Sequence, residues 1–330
     1  MPEMTYRRLG KSGLQVSSLS LGSWVTFGGQ VSNTVAETCM EKAYQAGINF
    51  FDNAEGYAGG QSEEVMGAIL AKFNWPRDTY ILSSKVFWGG DKPNQTGLSR
   101  KHVTEACHAA LRRLRADYLD LYFCHRPDPN TPIEETVRAM DTLIQQGKVL
   151  YWGTSEWSAA EIMEAHSIAR QYGLTPPTME QPHYNMLRRN SFETQIAPLY
   201  DRIGLGATTF SPLASGILTG KYANGIPEGS RLSLPGYEFL NNRLERYSEH
   251  GLNDVLEKLP GIAEKIGATL PQLAIAWCLA NPAVSAVILG ASKPEQLEQN
   301  LEALNFVDYL DEEIRSEIDL ALSGFREIDV

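Results

Sequence analysis

Cysteine is scarce in this chain of 330 residues: Cys39, Cys107, Cys124 and Cys278 are the four, and no two stand at C-x-x-C spacing. A zinc ribbon or a redox dithiol needs that spacing, so neither is expected, and a reduced, cytosolic protein is the simplest reading. The six histidines are His102, His108, His125, His166, His183 and His250, and none forms an H-E-x-x-H or comparable ligand set. No metal is expected on that ground. His102 and His108 fall on one expected helix, facing solvent or packing. No stretch approaches ~18 apolar residues, so no membrane span is expected. Residues 1–12 carry charge without an apolar core, unlike a signal peptide. Positive charge is in deficit, with 29 Lys and Arg against 40 Asp and Glu and a net charge of -11. That argues against nucleic acid or an anionic membrane as the main partner, while leaving room for a local basic pocket. Intact nucleotide-loop motifs are missing too. Gly204-Leu-Gly206 lacks its third glycine and precedes a strand, not a helix. Gly216 to Lys221 has one residue too few between its glycines for a P-loop.

What is present is alternation without a linker or a composition break. Short β-rich runs at 18–22, 49–53, 80–85, 119–125, 151–155, 178–181, 207–211 and 286–290 read as strands. Amphipathic segments at 100–114, 133–146, 159–171 and 270–280 read as helices between them. Alternating strands and helices favour a parallel sheet, either open and doubly wound or closed as a barrel. The count of eight favours a (β/α)8 TIM barrel, an α/β fold that runs past 250 residues as one domain, so 1–330 is expected to be a single domain. A chain this long buries roughly 75% of its unfolded surface and needs no disulfide or metal to fold. Residues 6–17, with Gly10 and Gly13, read as a hairpin closing the barrel bottom. Residues 222–252, rich in Gly, Pro, Arg and Tyr, read as a long lid-like loop after strand seven.

Asp52, Lys85, His125, Ser155, Gln181 and Ser211 lie at or near the C-terminal ends of expected strands. In a TIM barrel those ends converge on the face that carries active sites. Asp52, Tyr57, Lys85 and His125 suit general acid catalysis. A tyrosine titrates near ~10, and a neighbouring ammonium is expected to lower that value so that the phenol can donate to a carbonyl oxygen. Asp52 would hold the lysine charged, and His125 would orient the carbonyl, with no metal required. Taken alone, a rim tyrosine, a structural Asp–Lys pair and a satisfied histidine explain the spacing equally well.

The segment Asp52-Asn-Ala-Glu-Gly-Tyr57 resembles the aldo-keto reductase signature, and Lys85 in Leu82-Ser-Ser-Lys-Val86 and His125 in Leu121-Tyr-Phe-Cys-His-Arg-Pro127 complete that family's tetrad. Within the superfamily the chain is most similar to the β subunits of voltage-gated potassium channels and their plant and microbial relatives. Trp24-Val-Thr-Phe-Gly-Gly-Gln30, Phe87-Trp-Gly-Gly90, Gly97-Leu-Ser-Arg-Lys-His102, Arg126-Pro-Asp-Pro-Asn-Thr-Pro132, Tyr151-Trp-Gly-Thr-Ser155, Ser211-Pro-Leu-Ala214 and Leu270-Pro-Gln-Leu-Ala-Ile-Ala-Trp-Cys278 carry the likeness. It spans about residues 5–320.

The resemblance implies reduction of aldehydes or ketones to alcohols, with NADPH as hydride donor and Tyr57 as general acid. Ser155 and Gln181 would bind the nicotinamide carboxamide. Ser23, Trp24, Gln30 and Asp52 would line the nicotinamide and ribose. Phe210 would stack on the nicotinamide where the channel subunits have Trp. Ser211, Pro212, Leu213, Ala214, Ser215 and Lys221 would follow the pyrophosphate. Arg231, Gly290, Ser292, Gln296, Gln299 and Asn300 would hold the adenosine end. There Ser292-Lys-Pro-Glu295 reads as a capping box whose helix end attracts phosphate, and Lys293 and Arg231 would meet a 2′-phosphate. Glu156 stands in place of an Arg beside the nicotinamide, so that contact is not expected to carry over, and Gly229 stands in place of a Tyr in the covering loop, so a less tightly clamped cofactor and faster exchange are expected. Trp24, Phe87, Trp88, Trp157 and Tyr184 suggest an aromatic-lined pocket, with loops 87–94 and 222–252 choosing the substrate.

The same resemblance raises an alternative: a regulatory, redox-sensing cytoplasmic β subunit docked on a potassium channel, and a homotetramer in either case. His125 stands where the animal channel subunits carry Asn, and it is the ordinary reductase residue. The chain begins about five residues before the barrel motif, so the N-terminal inactivating extension of animal subunits is not expected. Both features tilt the reading to an enzyme.

Overall fold

Strand periodicity organises the molecule, because successive side chains on a strand point to opposite faces. The computed structural model describes residues 2–328 apart from 224, 234, 235 and 237. A hairpin, β1 (Tyr6–Arg8) and β2 (Gln15–Ser17), comes first. Then follow β3 (Leu19–Gly22), β4 (Phe50–Asp52), β5 (Ile81–Val86), β6 (Leu119–Cys124), β7 (Val149–Thr154), β8 (Met179–Glu180), β9 (Gly206–Phe210) and β10 (Ala286–Leu289). These eight strands are parallel and close into a barrel in the order β3 to β10, with β10 pairing back onto β3. The expected TIM barrel is therefore the observed fold.

The helices are α1 (Asn33–Gln45), α2 (Gln61–Phe73), α3 (Arg100–Leu114), α4 (Ile133–Gln145), α5 (Ala159–Tyr172), α6 (Ala197–Arg202), α7 (Glu238–Glu249), α8 (Leu252–Lys265), α9 (Leu270–Leu279), α10 (Pro294–Leu301) and α11 (Glu312–Leu322). Local chemistry sets several ends. Ser99 accepts from His102 N at the start of α3. Reciprocal capping boxes, Ser158 with Glu161 and Thr269 with Gln272, open α5 and α9. Gly173, at φ 65°, ends α5. No helix among the described residues is long and apolar enough to cross a membrane.

Two cores follow from the alternation. Outward strand residues such as Leu21, Phe51, Leu82, Tyr122, Trp152 and Val287 pack under the helices. Inward residues Phe50, Ile81, Leu121, Phe123, Met179, Ala286 and Ile288 fill the barrel together with Leu9 and Val16 of the hairpin. The hairpin thus plugs the N-terminal end of the barrel. Asn49, just before β4, accepts from Ser17 N at 2.7 Å. Gly10, at φ +56°, lies so close to the Gly204 carbonyl that any side chain would overlap it.

Further along β4, β5, β6 and β8 the inward positions turn polar. Phe50 is followed by Asp52, Ile81 by Ser83 and Lys85, Phe123 by His125, and Met179 by Gln181. An apolar floor therefore carries a polar layer at the C-terminal mouth, where TIM-barrel sites lie.

The segment 222–252 departs from a simple loop. A short 3-10 turn, Arg231–Ser233, precedes α7, and Leu232, Leu240 and Tyr247 are buried beneath it. Residues 224, 234, 235 and 237 of this segment lie outside the described residues. Leu240, Leu244 and Tyr247 recur at helical spacing, a pattern masked in the sequence by the glycines and prolines that precede it.

Candidate active site

At the mouth, Lys85 is fully buried at the inner face of β5. Its Nζ donates to Asp52 Oδ2 at 2.6 Å, to the Asn53 carbonyl at 2.9 Å and to the Tyr57 hydroxyl at 3.1 Å. Asp52 Oδ1 accepts from Ser83 Oγ at 2.8 Å and from Gln181 Nε2 at 3.2 Å. The carboxylate is thus satisfied on both oxygens, as a buried charge must be. His125 stands edge-on to the Tyr57 ring, 5.7 Å between centroids, and Trp88 makes a second edge contact with it at 4.9 Å. The four residues named from the sequence come together in space.

Tyr57 sits beyond β4 in a tight turn, with Ala58 at φ 49° and Gly59 at φ 61°. Glu55 fixes this turn. Its backbone N donates to the Lys85 carbonyl at 3.1 Å, and its carboxylate accepts from Phe87 N at 2.8 Å. His102 Nε2 lies 3.2 Å from the same carboxylate. His102, expected on a helix in packing or solvent, is buried and pairs with the signature segment. Burial opposes its charge, but Glu55 outweighs burial and raises its pKa.

The electrostatics correct one expectation. Lys85 does pull the Tyr57 pKa down, but burial pushes it up by more, so the phenol sits above its ordinary value. The sequence reading gave the sign of the lysine and omitted the desolvation of the phenolate. Burial opposes charge on Lys85 too, yet Asp52 and Tyr57 prevail and hold it firmly as the ammonium. Burial, then Lys85 and Arg126, keep His125 well below the usual histidine range, so its ring is neutral. His125 Nδ1 has no hydrogen-bond partner among the described residues.

The tetrad opens into a cavity of about 1010 Å³. That is the upper end of the range for ligand pockets, room for a dinucleotide and a small partner. Of the cofactor-contact residues expected from the sequence, Trp24, Gln30, Asp52, Ser155, Gln181, Phe210, Ser211, Pro212, Leu213, Ser215, Lys221, Arg231, Gly290, Ser292, Gln296, Gln299 and Asn300 line it, and so does Lys293. Ser23 and Ala214 are buried behind the wall. Ser23 Oγ donates to the Asp52 carbonyl at 3.0 Å, so it braces the strand end instead of facing the cavity.

The residues present suit a phosphorylated dinucleotide. Ser211, Ala214 and Ser215 all take φ between 47° and 61°, strain that a binding loop retains when its surroundings enforce it. The buried Ser215 Oγ has no partner among the described residues. Lys221, Arg231 and Lys293 bring positive charge to the same wall. Arg231 reaches across the mouth, its guanidinium 5.4 Å from the Trp24 ring. Of the described residues of segment 222–252, Glu228 to Arg231, Phe239 and Arg243 line the cavity.

The expected capping box at Ser292 is absent. Helix α10 begins at Pro294 with Lys293 as its N-cap and no side-chain cap. A residue before proline is driven to extended backbone, and Lys293, at φ -146°, takes the cap position for that reason. Ser292 instead donates to Gln296 Oε1 through both its N and its Oγ, at 3.0 Å each.

The aromatic lining is also thinner than expected. Trp24 and Trp88 face the cavity. Phe87 packs against Trp88 at 4.9 Å, while Trp157 and Tyr184 are buried in the core. Beyond β8 the inward positions are Gln181 and His183, and the next residue, Tyr184, points outward by the same alternation. Sequence reasoning did not single out His183, Arg188 or Arg243, which line the cavity beside Glu156. No sequence signal joins Arg188 and Arg243, which stand far apart in the chain. The family model described as Aldo/keto reductase family matches residues 18–321.

Proposed function

The chain belongs to the aldo/keto reductase family, an oxidoreductase family acting on carbonyls, and from that premise we propose that it reduces aldehydes and ketones with NADPH, Tyr57 giving the proton. The observation that carries this reading is the chain of contacts from Asp52 through Lys85 to the Tyr57 hydroxyl, 2.6 and 3.1 Å, at the mouth of a dinucleotide-sized cavity.

The carbonyl oxygen docks between the Tyr57 hydroxyl and the neutral His125 ring, whose N–H donates to it and sets its direction. NADPH, when bound, supplies the hydride. As negative charge develops on the oxygen, Tyr57 passes its proton there, and the Lys85 ammonium stabilises the phenolate left behind. Asp52 keeps Lys85 charged and aimed. Because burial holds the Tyr57 pKa up, the phenol keeps its proton at neutral pH until the developing oxyanion takes it. A neutral His125 able to donate to the carbonyl favours turnover over a purely cofactor-sensing role.

Ser211 to Ser215 with Lys221 would hold the pyrophosphate, and Lys293 and Arg231 the 2′-phosphate. Phe210 would meet the nicotinamide face. The test is oxidation of NADPH by the wild-type protein with 4-nitrobenzaldehyde, methylglyoxal and a broader panel of aldehydes and ketones. Turnover is expected. Tight NADPH binding with no turnover across the panel would contradict the reading.

A further inference from the structure

The cavity carries positive charge at two places, and the cofactor accounts for one. Lys221, Arg231 and Lys293 stand where the phosphates would lie. Arg126, Arg188 and Arg243 line the same cavity around His183 and have no part in that reading. Arg126 adjoins the tetrad: its Nη1 donates to the His125 carbonyl at 2.5 Å, and its guanidinium lies 5.4 Å from the Trp88 ring. Arg188 Nη1 is 3.3 Å from His183 Nδ1, and its Nη2 donates to Glu156 Oε2 at 2.9 Å. Arg243, from α7, has no hydrogen bond or ion pair among the described residues.

Glu156 is the carboxylate placed among these guanidinium groups, and it is already engaged. One oxygen takes Arg188, and the other accepts from His183 N at 2.6 Å. The surroundings record the surplus. Burial, then Arg188, Arg243 and Arg126, hold His183 well below its usual range. Burial lowers the Arg243 pKa, and Arg188 adds to that against the opposing pull of Tyr247 and Glu156. A partly buried arginine without an acceptor costs stability, and Arg243, set beside Arg126 and Arg188 with the one nearby carboxylate already engaged, is placed for an anion that arrives from outside.

We propose that the substrates are anionic carbonyl compounds, aldehydes or ketones bearing a carboxylate or phosphate, whose charged group binds Arg243 with support from Arg126 and Arg188. This rests on the reductase reading above and deepens it. The reactive carbonyl goes to Tyr57 and His125, and the anion sits toward α7. Neutral aldehydes leave Arg243 without its acceptor.

The experiment compares 4-carboxybenzaldehyde with its methyl ester, the same ring and aldehyde with and without the charge. A phosphate arm compares 4-formylphenyl phosphate with 4-methoxybenzaldehyde. For at least one pair, kcat/KM is expected to favour the anion by about tenfold, ~1.4 kcal/mol, mainly through KM. The preference falls as ionic strength rises, because charge pairing is screened. In Arg243→Gln the anion-to-neutral ratio collapses toward one, and in Arg243→Lys it is partly kept. Thermal melts of both variants establish that they are folded, and Arg188→Gln repeats the test from a second position. If neutral and charged partners in both arms are reduced equally well, and Arg243→Gln leaves their ratio unmoved, the anion site is wrong while the reductase stands. If neither member of either pair is reduced, the reductase reading fails and the anion site with it.

Discussion

Lys85 Nζ stands 3.1 Å from the Tyr57 hydroxyl while fully buried, so the phenol shares its hydrogen-bonding surroundings with a charge that cannot leave. Lys85→Met removes the cation and strands the Asp52 carboxylate. We expect kcat to fall by about 100-fold or more, the scale of losing one preorganised electrostatic partner. Breaking a buried ion pair also costs about 3–5 kcal/mol, so the melting temperature drops alongside. Wild-type stability in the variant would contradict the buried-pair account.

Behind the site, the fully buried Glu180 carboxyl accepts from the Thr154 hydroxyl, and its Oε1 has no partner among the described residues. Burial pushes its pKa from 4.5 up to about 8. A folded-state pKa raised above the unfolded one gives stability that is complete below the unfolded value and is lost as pH rises through the folded value. The window is therefore 4.5 to about 8. Glu180→Gln removes the ionisation. Its melting temperature relative to wild type should improve as pH rises from 4.5 to about 8 and level off above that, by the equivalent of ~1–3 kcal/mol in all. A constant difference across that range would rule out a neutral buried Glu180.

At the opposite end of the cavity, Lys293 is an N-cap with no capping role for its side chain. Lys293→Ala should weaken NADPH binding by about tenfold and narrow the ratio of NADPH to NADH affinity, measured by calorimetric titration of both. An equal loss for both cofactors would remove Lys293 from the 2′-phosphate.

Much of this was legible because a barrel strand is a short apolar run ending in a polar residue. Segment 119–125, for instance, reads Leu, Asp, Leu, Tyr, Phe, Cys, His, and that order puts Leu121 and Phe123 in the floor and His125 in the mouth. Apolar periodicity marked helices such as α3 and α5 to within a residue. What escaped was direction and distance. The aromatic character of Trp157 and Tyr184 gave no sign of which face they occupy, and both turned into the core. Serine before lysine and proline suggested a cap one residue early, because proline acts on the residue it follows. His183 and Arg243 come from the end of β8 and from α7, and only barrel closure brings them to one cavity.

The central claim is that Tyr57 supplies the proton, and the direct measurement is the pH dependence of kcat in the wild type beside Tyr57→Phe. Tyr57 holds its proton above the ordinary tyrosine pKa and His125 is already neutral. The wild-type profile should therefore be flat from pH ~7 to pH ~9 and fall only above pH ~10. Tyr57→Phe should lose about 10²–10⁴ in kcat at every pH in that range while still binding NADPH. A variant that keeps its rate, or a wild-type profile that already falls below pH ~8, would contradict the account.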